Sequence, residues 1–311
     1  MKILFMGTPD FAEGILRAII DSNDHEVVAV VTQPDRPKGR SKALAESPVK
    51  VLAKQHNIPV LQPEKIKCED EVAKLKAIDA DIYVVAAFGQ ILSKQILDIP
   101  RYGCINVHAS LLPKYRGASP IQKAIADGEK VTGVTIQKMN EGVDTGDIIS
   151  AVTVPIRPDE TGGSLFDTLA EEGAKLIVTT LSDIETGKAT YTPQDDKAAT
   201  YAGLIKKEMG NIDWSESATF VEQKIRAYTP WPGGFTHLSQ KVLKIKECRA
   251  EEGSTGGAAG EVTDVTKDSF TVACGSGALT VTRVQAEGKK EMTVHDFLLG
   301  NSLSVGTILG G

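Results

Sequence analysis

A chain of 311 residues with 41% hydrophobic and 24% charged side chains has the composition of an ordinary soluble globular protein and the length for two modest domains. Its formal net charge of -6 excludes a protein that coats nucleic acid through bulk positive charge, and leaves local basic patches to be sought along the chain. Cys68, Cys104, Cys248 and Cys274 stand far apart without a CxxC pair, and neither a signal peptide nor an apolar run long enough to cross a bilayer occurs. The reading is therefore a reduced, cytoplasmic protein with no membrane role, and no targeting segment is expected ahead of the first strand.

Residues 3–5 form a short apolar strand ending at Gly7, and residues 9–20 carry apolar side chains at helical spacing. This opening is like half a Rossmann unit. Yet GTPDFA supplies one glycine where G-x-G-x-x-G is required, and no G-x-x-x-x-G-K-[ST] occurs, which argues against dinucleotide and P-loop readings. A second strand at 26–31 leads into QPDRPKGRSKALAESPVK, a turn-rich loop that crowds Arg36, Lys38, Arg40 and Lys42 together. Such a run is either a solvated face or a contact for phosphates.

Helices are expected at 48–56, 69–78 and 121–126, with a brief strand at 60–61. The near-continuous apolar run at 81–87 suits a central parallel strand covered on both faces, and the turn of Phe88, Gly89, Gln90 and Ile91 places polar atoms near its carboxyl end. The strand at 103–108 should lie beside it. Its two-residue period puts Asn106 and His108 on one face, and Pro113 followed by Lys114, Arg116 and Gly117 breaks it. The pair is thus expected at a strand's carboxyl end, where open α/β sheets hold their ligands. Residues 133–139 alternate as a strand, NEGVDTGD turns the chain with Asp144 between two glycines, and a strand returns at 148–154. A long helix over 161–184 closes a first domain spanning 1–189, and residues 190–205, rich in Asp, Pro, Ala and Thr, read as an extended linker.

The texture changes in a second domain, 206–311. After a helix at 218–228 and the rigid turn TPWPGGF come short strands cut by glycines, the pattern of a small β-barrel. Lys241, Lys244, Lys246 and Arg249 cluster there, opposed only by Glu247. OB-type barrels use such stripes for nucleic acids, and edge strands use lysines to block aggregation.

None of the five histidines has metal-ligand spacing. His108 alone shares a strand face with an amide and leads into a pocket-forming turn. Asn106, His108 and Asp144 supply an amide donor, a titratable imidazole and a carboxylate, a set suited to acyl transfer in which an incoming amine attacks directly and no serine or cysteine nucleophile is needed. Spacing alone leaves other arrangements open, since residues 106 and 144 need not meet.

INVHASLLPKYRGASPIQ, with GVTIQKMNEGVDTGDII downstream, resembles the folate-dependent formyltransferases. The opening ILFMGTPDFA and the segment TQPDRPKGR resemble the members that act on methionyl-tRNA, and AAFGQILSKQIL, IDW at 212–214 and IRAYTPWPG at 225–233 extend the likeness over nearly the whole chain. The resemblance implies an α/β fold, a Rossmann-like formyltransferase domain with a carboxy-terminal OB-like β-barrel domain. It carries the catalytic set onto Asn106, His108 and Asp144. It puts folate at the turn Ser110, Leu111, Leu112 and Pro113, beside which Phe88, Gly89, Gln90 and Ile91 are expected. It assigns tRNA contact to the loop of Arg36, Lys38, Arg40 and Lys42, led by Arg40, and the basic stripe of the second domain, with Lys206, Lys207, Lys241, Lys244 and Lys246, is expected to add tRNA affinity. Ala109 departs from the family, where Gly is frequent before the SLLP turn.

The implied reaction moves a formyl group from 10-formyltetrahydrofolate, a cosubstrate, to the amino group of initiator methionyl-tRNA, with no metal and no obligate protein partner. Competing readings are a formyltransferase for a small amine such as glycinamide ribonucleotide or a nucleotide amino sugar, a nucleic-acid-binding module with a merely structural Rossmann half, and a dinucleotide oxidoreductase. The basic loop and second domain speak against the first, and the missing glycine fingerprint against the last.

Overall fold

Strand β1 (Lys2–Gly7) is apolar on both faces because it runs through the middle of a sheet covered on both sides, and Ile3, Leu4, Phe5 and Met6 are wholly buried. The computed structural model describes residues 1–38, 43–253 and 256–310. Two compact units make up the chain: residues 1–120, 131–155 and 166–202 form the first, and residues 121–130, 156–165 and 203–311 the second.

In the first unit, α1 (Asp10–Ser22) buries Phe11, Ile15, Leu16 and Ile19 at helical spacing and ends at Asn23, which takes the left-handed conformation. After β2 (Glu26–Val31) the segment expected as an irregular loop contains a hairpin instead: β3 (Arg36–Lys38) pairs antiparallel with β4 (Ala43–Ala45), Arg36 opposite Ala45 and Pro37 opposite Leu44. Strands this short offer no alternation to read in advance. Then come α2 (Pro48–Gln55), capped by the Ser47 hydroxyl accepting from Lys50 N at 3.1 Å, β5 (Val60–Leu61), α3 (Glu69–Lys76), β6 (Ile82–Ala86), the short α4 (Lys94–Leu97) and β7 (Cys104–His108). They continue through β8 (Arg116–Gly117), β9 (Val131–Lys138), β10 (Ile148–Pro155), α6 (Gly162–Glu185), which belongs to this unit from residue 166, and β11 (Tyr201–Ala202); between β8 and β9 the chain runs through α5 (Pro120–Ala126), whose residues from 121 belong to the second unit.

Among the described residues seven strands form one sheet in the order β10-β9-β7-β6-β1-β2-β5, parallel from β7 to β5 and antiparallel at β9 and β10. One face packs Leu4, Met6, Val31, Tyr83 and Val85 against Val72, Leu75 and Ile96 of α3 and α4. On the other, α1 and α6 meet through an edge contact of Phe11 and Phe166 at 5.7 Å. No described helix is long and apolar enough to cross a membrane.

The second unit contains α7 (Ala218–Ala227), β12 (Gly234–Leu238), β13 (Lys241–Glu251), β14 (Val262–Val265), β15 (Phe270–Ala273), β16 (Ala278–Ala286), β17 (Met292–Thr293) and α8 (Val294–Gly300). Its strands pair antiparallel in the order β12-β13-β16-β15-β14, with β17 beside β16. Leu243, Ile245, Phe270, Val281 and Val284 alternate inward onto Trp214, Val221, Ile225 and Phe297. The alternate positions of β13 carry Lys244 and Lys246.

Candidate active site

Asn106 and His108 extend from the same face of β7, opposite Gln137 and Thr135 of β9. Asp144, in the turn after β9, completes the group. Its φ of +54° is a conformation that Asp tolerates better than most residues. Gly146 permits the turn, because a Cβ there would stand 1.7 Å from the Lys138 carbonyl oxygen.

The carboxylate is surrounded by donors. Asp144 Oδ1 accepts from Gln137 Nε2 at 2.8 Å and from Asn106 Nδ2 at 3.3 Å, and lies 3.6 Å from His108 Nδ1. Asp144 Oδ2 accepts from Gly117 N at 2.8 Å. The Gly146 N–H donates to Gln137 Oε1 at 3.1 Å, which fixes the Gln137 amide with its nitrogen toward Asp144. The three residues expected as a catalytic set thus meet around one oxygen.

His108 is buried, with Nε2 2.9 Å from the Tyr115 carbonyl oxygen. A carbonyl only accepts, so Nε2 carries the proton and Nδ1 is the nitrogen turned to Asp144. Tyr115 reaches this position with φ +60°, rare for a bulky residue, and its N–H donates to Thr200 Oγ1 at 2.9 Å. Ala87, at the end of β6, is a further left-handed residue at φ +43°. Such outliers persist where surrounding structure over-determines them. Cys104 shares β7, but burial pushes its thiol up to about 12, so it stays an uncharged packing group.

The SLLP turn is fastened to β9. Thr135 Oγ1 donates to Ser110 O at 2.7 Å and accepts from Leu112 N at 3.1 Å, while Ser110 Oγ donates to Lys114 O at 2.7 Å. Ser110 and Leu112 are buried, Leu111 is half-buried against Gly133, and Pro113 follows a cis bond. In the second expected folate segment, Phe88 is buried and Gly89 has φ +81°. Gln90 braces residues 63–66, accepting from Ile66 N at 2.8 Å and donating to Pro63 O at 3.0 Å, and Ile91 stands 77% exposed.

Several residues around Asp144 escaped the sequence reading. Gln137 could have been suspected from its polar side chain on an alternating strand, but only the register shows it opposite Asn106. Gln194, Asp196 and Thr200 lie in the stretch read as linker. Arg116, 2% exposed, donates from Nε and Nη2 to Gln194 Oε1 at 3.1 and 2.9 Å, and from Nη2 to Asp196 Oδ1 at 2.8 Å. β11 pairs with β8, Ala202 opposite Gly117.

Of the residues expected to meet tRNA, Arg36 lies at the start of the hairpin, 3.4 Å from Gln33 Oε1. Lys38 ends β3 and pairs through its backbone with Ala43, and Arg40 and Lys42 lie outside the described residues. In the second unit, Lys206 and Lys207 are exposed and Lys241 begins β13. Lys207 and Lys244 flank a cleft of about 470 Å³ that Phe235 and His237 also line. Lys246 stands 3.8 Å from Glu291.

A Rossmann-like sheet gathers an amide, an imidazole and a carboxylate at one strand end, and the chain that carries it belongs to the formyl transferase family. Residues 1–181 match the formyl transferase domain and residues 204–302 the formyl transferase carboxy-terminal domain. Among similar proteins are the methionyl-tRNA formyltransferases of Agathobacter rectalis, 52% identical over 99% of both chains, and of Lachnospira eligens, 51% identical over 100% of both. The fold is shared with the N-formyltransferase of Helicobacter canadensis in complex with folinic acid and dTDP-3-aminofucose, with a TM-score of 0.68, 18% identity, and coverage of 92% of this chain and 99% of that one.

Proposed function

We propose that this chain transfers the formyl group of 10-formyltetrahydrofolate to the amino group of initiator methionyl-tRNA, in the cytoplasm, giving formylmethionyl-tRNA for translation initiation. The observation that carries the reading is the match of both units, end to end, to curated methionyl-tRNA formyltransferases.

The donor set fits a formyl donor. Asn106 gives one amide N–H to Asp144, which leaves the second for a ligand oxygen. 10-Formyltetrahydrofolate supplies an activated one-carbon acyl group; the rest of the chemistry falls to the chain. As the methionyl amine adds, Asn106 and a protonated His108 Nδ1 stabilise the negative charge that develops on the formyl oxygen. Asp144 holds that imidazolium from one side and the Tyr115 carbonyl from the other, and the carboxylate assists removal of the amine proton through water; collapse of the tetrahedral carbon then breaks its bond to the folate amine, which takes up a proton and departs as tetrahydrofolate. Ser110, Leu111, Leu112 and Pro113, with Phe88, Gly89, Gln90 and Ile91, shape the folate site. The basic hairpin, Lys206, Lys207 and the β13 lysines bind tRNA phosphates.

The deciding experiment offers labelled 10-formyltetrahydrofolate with charged initiator methionyl-tRNA, free methionine or glycinamide ribonucleotide. Label on methionyl-tRNA is expected; label on a small amine alone overturns the reading.

A further inference from the structure

Gln194 Nε2 lies 3.0 Å from the carbonyl oxygen of Asp144 and 2.6 Å from that of Gly146. Its Oε1 is taken by the fork of the buried Arg116 guanidinium, a group that only donates. The orientation of the Gln194 amide is thereby determined: oxygen to Arg116, both N–H groups to the backbone of the turn that carries Asp144. Asp196 holds the other side of Arg116, so the guanidinium cannot swing away.

We propose that Gln194 is a positioning residue for formyl transfer, fixing the backbone of the Asp144 turn so that the carboxylate stays against Asn106 and His108. Gln137 and Gly117 hold the side chain of Asp144, but neither holds its carbonyl. Asp144 takes its left-handed conformation, φ +54°, between Val143 and Thr145, a backbone state that costs energy to hold, and Gln194 binds the carbonyl oxygens of both Asp144 and Gly146. The inference rests on the proposed function, since it assigns Asp144 to the transfer step. A displacement of about 1 Å at a catalytic group can cost about a hundredfold in rate.

The test compares wild type, Gln194→Met and Gln194→Glu in single-turnover formylation of methionyl-tRNA, with folate and tRNA affinities and thermal unfolding measured alongside. Glu keeps an oxygen on Arg116 as a charge-assisted pair but turns an acceptor toward two carbonyl oxygens. Both variants are expected to lose about tenfold to a hundredfold in rate, with both affinities within about threefold of wild type. If Gln194 merely satisfies buried Arg116, Gln194→Glu transfers formyl at the wild-type rate, which overturns the proposal. In an Asp144→Asn background, Gln194→Met should add little further loss; full additivity overturns it independently of how well the single variants fold. Failure of wild type to formylate methionyl-tRNA would sink the functional reading instead, so the two ideas fail on different arms.

Discussion

Asn106 and Gln137 face each other across β7 and β9, and both amides donate to the same oxygen of Asp144, at 3.3 and 2.8 Å. One amide is a strut and the other keeps an N–H to spare. Gln137 is buried and has its oxygen tied to Gly146, whereas Asn106 is only half-buried and can turn a donor to a ligand.

His108→Ala should lower the chemical step by about a hundredfold to a thousandfold, the usual consequence of removing a preorganised oxyanion donor. Binding of tRNA should hardly change. Near-normal single-turnover formylation by the variant would leave His108 a packing role only.

Thr135→Val keeps shape and removes the hydroxyl that grips the SLLP turn at Ser110 and Leu112. Two buried backbone groups then lose their partner, at a cost of about 1–3 kcal/mol. Folate affinity is expected to weaken about tenfold while tRNA affinity holds, as equilibrium binding of each alone would show. Unchanged folate affinity would mean that the turn keeps its form without the hydroxyl.

Lys50 ties the two stems of the basic hairpin together, 2.6 Å from Asp35 Oδ2 and 3.1 Å from Glu46 Oε1. The Lys50 ammonium is the main reason the Asp35 carboxyl lies below its usual range, while for Glu46 hydrogen bonding to Lys54 comes first and Lys50 second. Lys50→Met should raise KM for methionyl-tRNA severalfold and leave folate binding alone. Arg40→Lys, in the same loop, should remain clearly defective, because charge persists while the planar fork is lost. Full activity in both variants would reduce the loop to diffuse charge.

Lys244→Ala and Lys246→Ala should weaken tRNA binding and flatten the slope of log affinity against log salt by about 0.9 for each phosphate that is no longer neutralised. Lys246 is partly neutralised by Glu291, so Lys244→Ala should have the larger effect. A salt titration with an unchanged slope would remove the stripe from the interface.

The His25 ring is buried, and its Nε2 meets no hydrogen-bond partner among the described residues. Burial, then the Met1 ammonium, hold its pKa below the ordinary value. A base with a depressed folded pKa contributes stability above about pH 6.5, which is lost as pH falls through the folded value. Urea midpoints should therefore fall as the pH drops below about 6.5, and His25→Asn should flatten that dependence. An equally steep curve in the variant would place the titrating group elsewhere.

The pairing of Asn106 with His108 was legible because a two-residue period leaves no choice of face. Their meeting with Asp144 came only through family resemblance, since a turn of Asn, Gly and Asp can point its carboxylate in many directions. Gln194 and Thr200 were illegible. Nothing in a polar, aperiodic stretch marks it as part of a site when its partners sit far back in sequence. The hairpin at Arg36 to Ala45 was hidden for a different reason, its strands being too short to alternate and one of them holding Pro37.

Arg116 reaches Gln194 and Asp196 across 78 and 80 residues, and the Tyr115 N–H reaches Thr200 across 85. A polypeptide emerging from the ribosome can pair β1, β2, β6 and β7 long before those partners exist. The setting of His108 and Asp144 is completed only when residue 202 has cleared the exit tunnel. Activity in a nascent chain is therefore expected to arrive after the sheet, and a translation product halted short of Gln194 holds the seven strands of the first unit's main sheet without the braces of its centre.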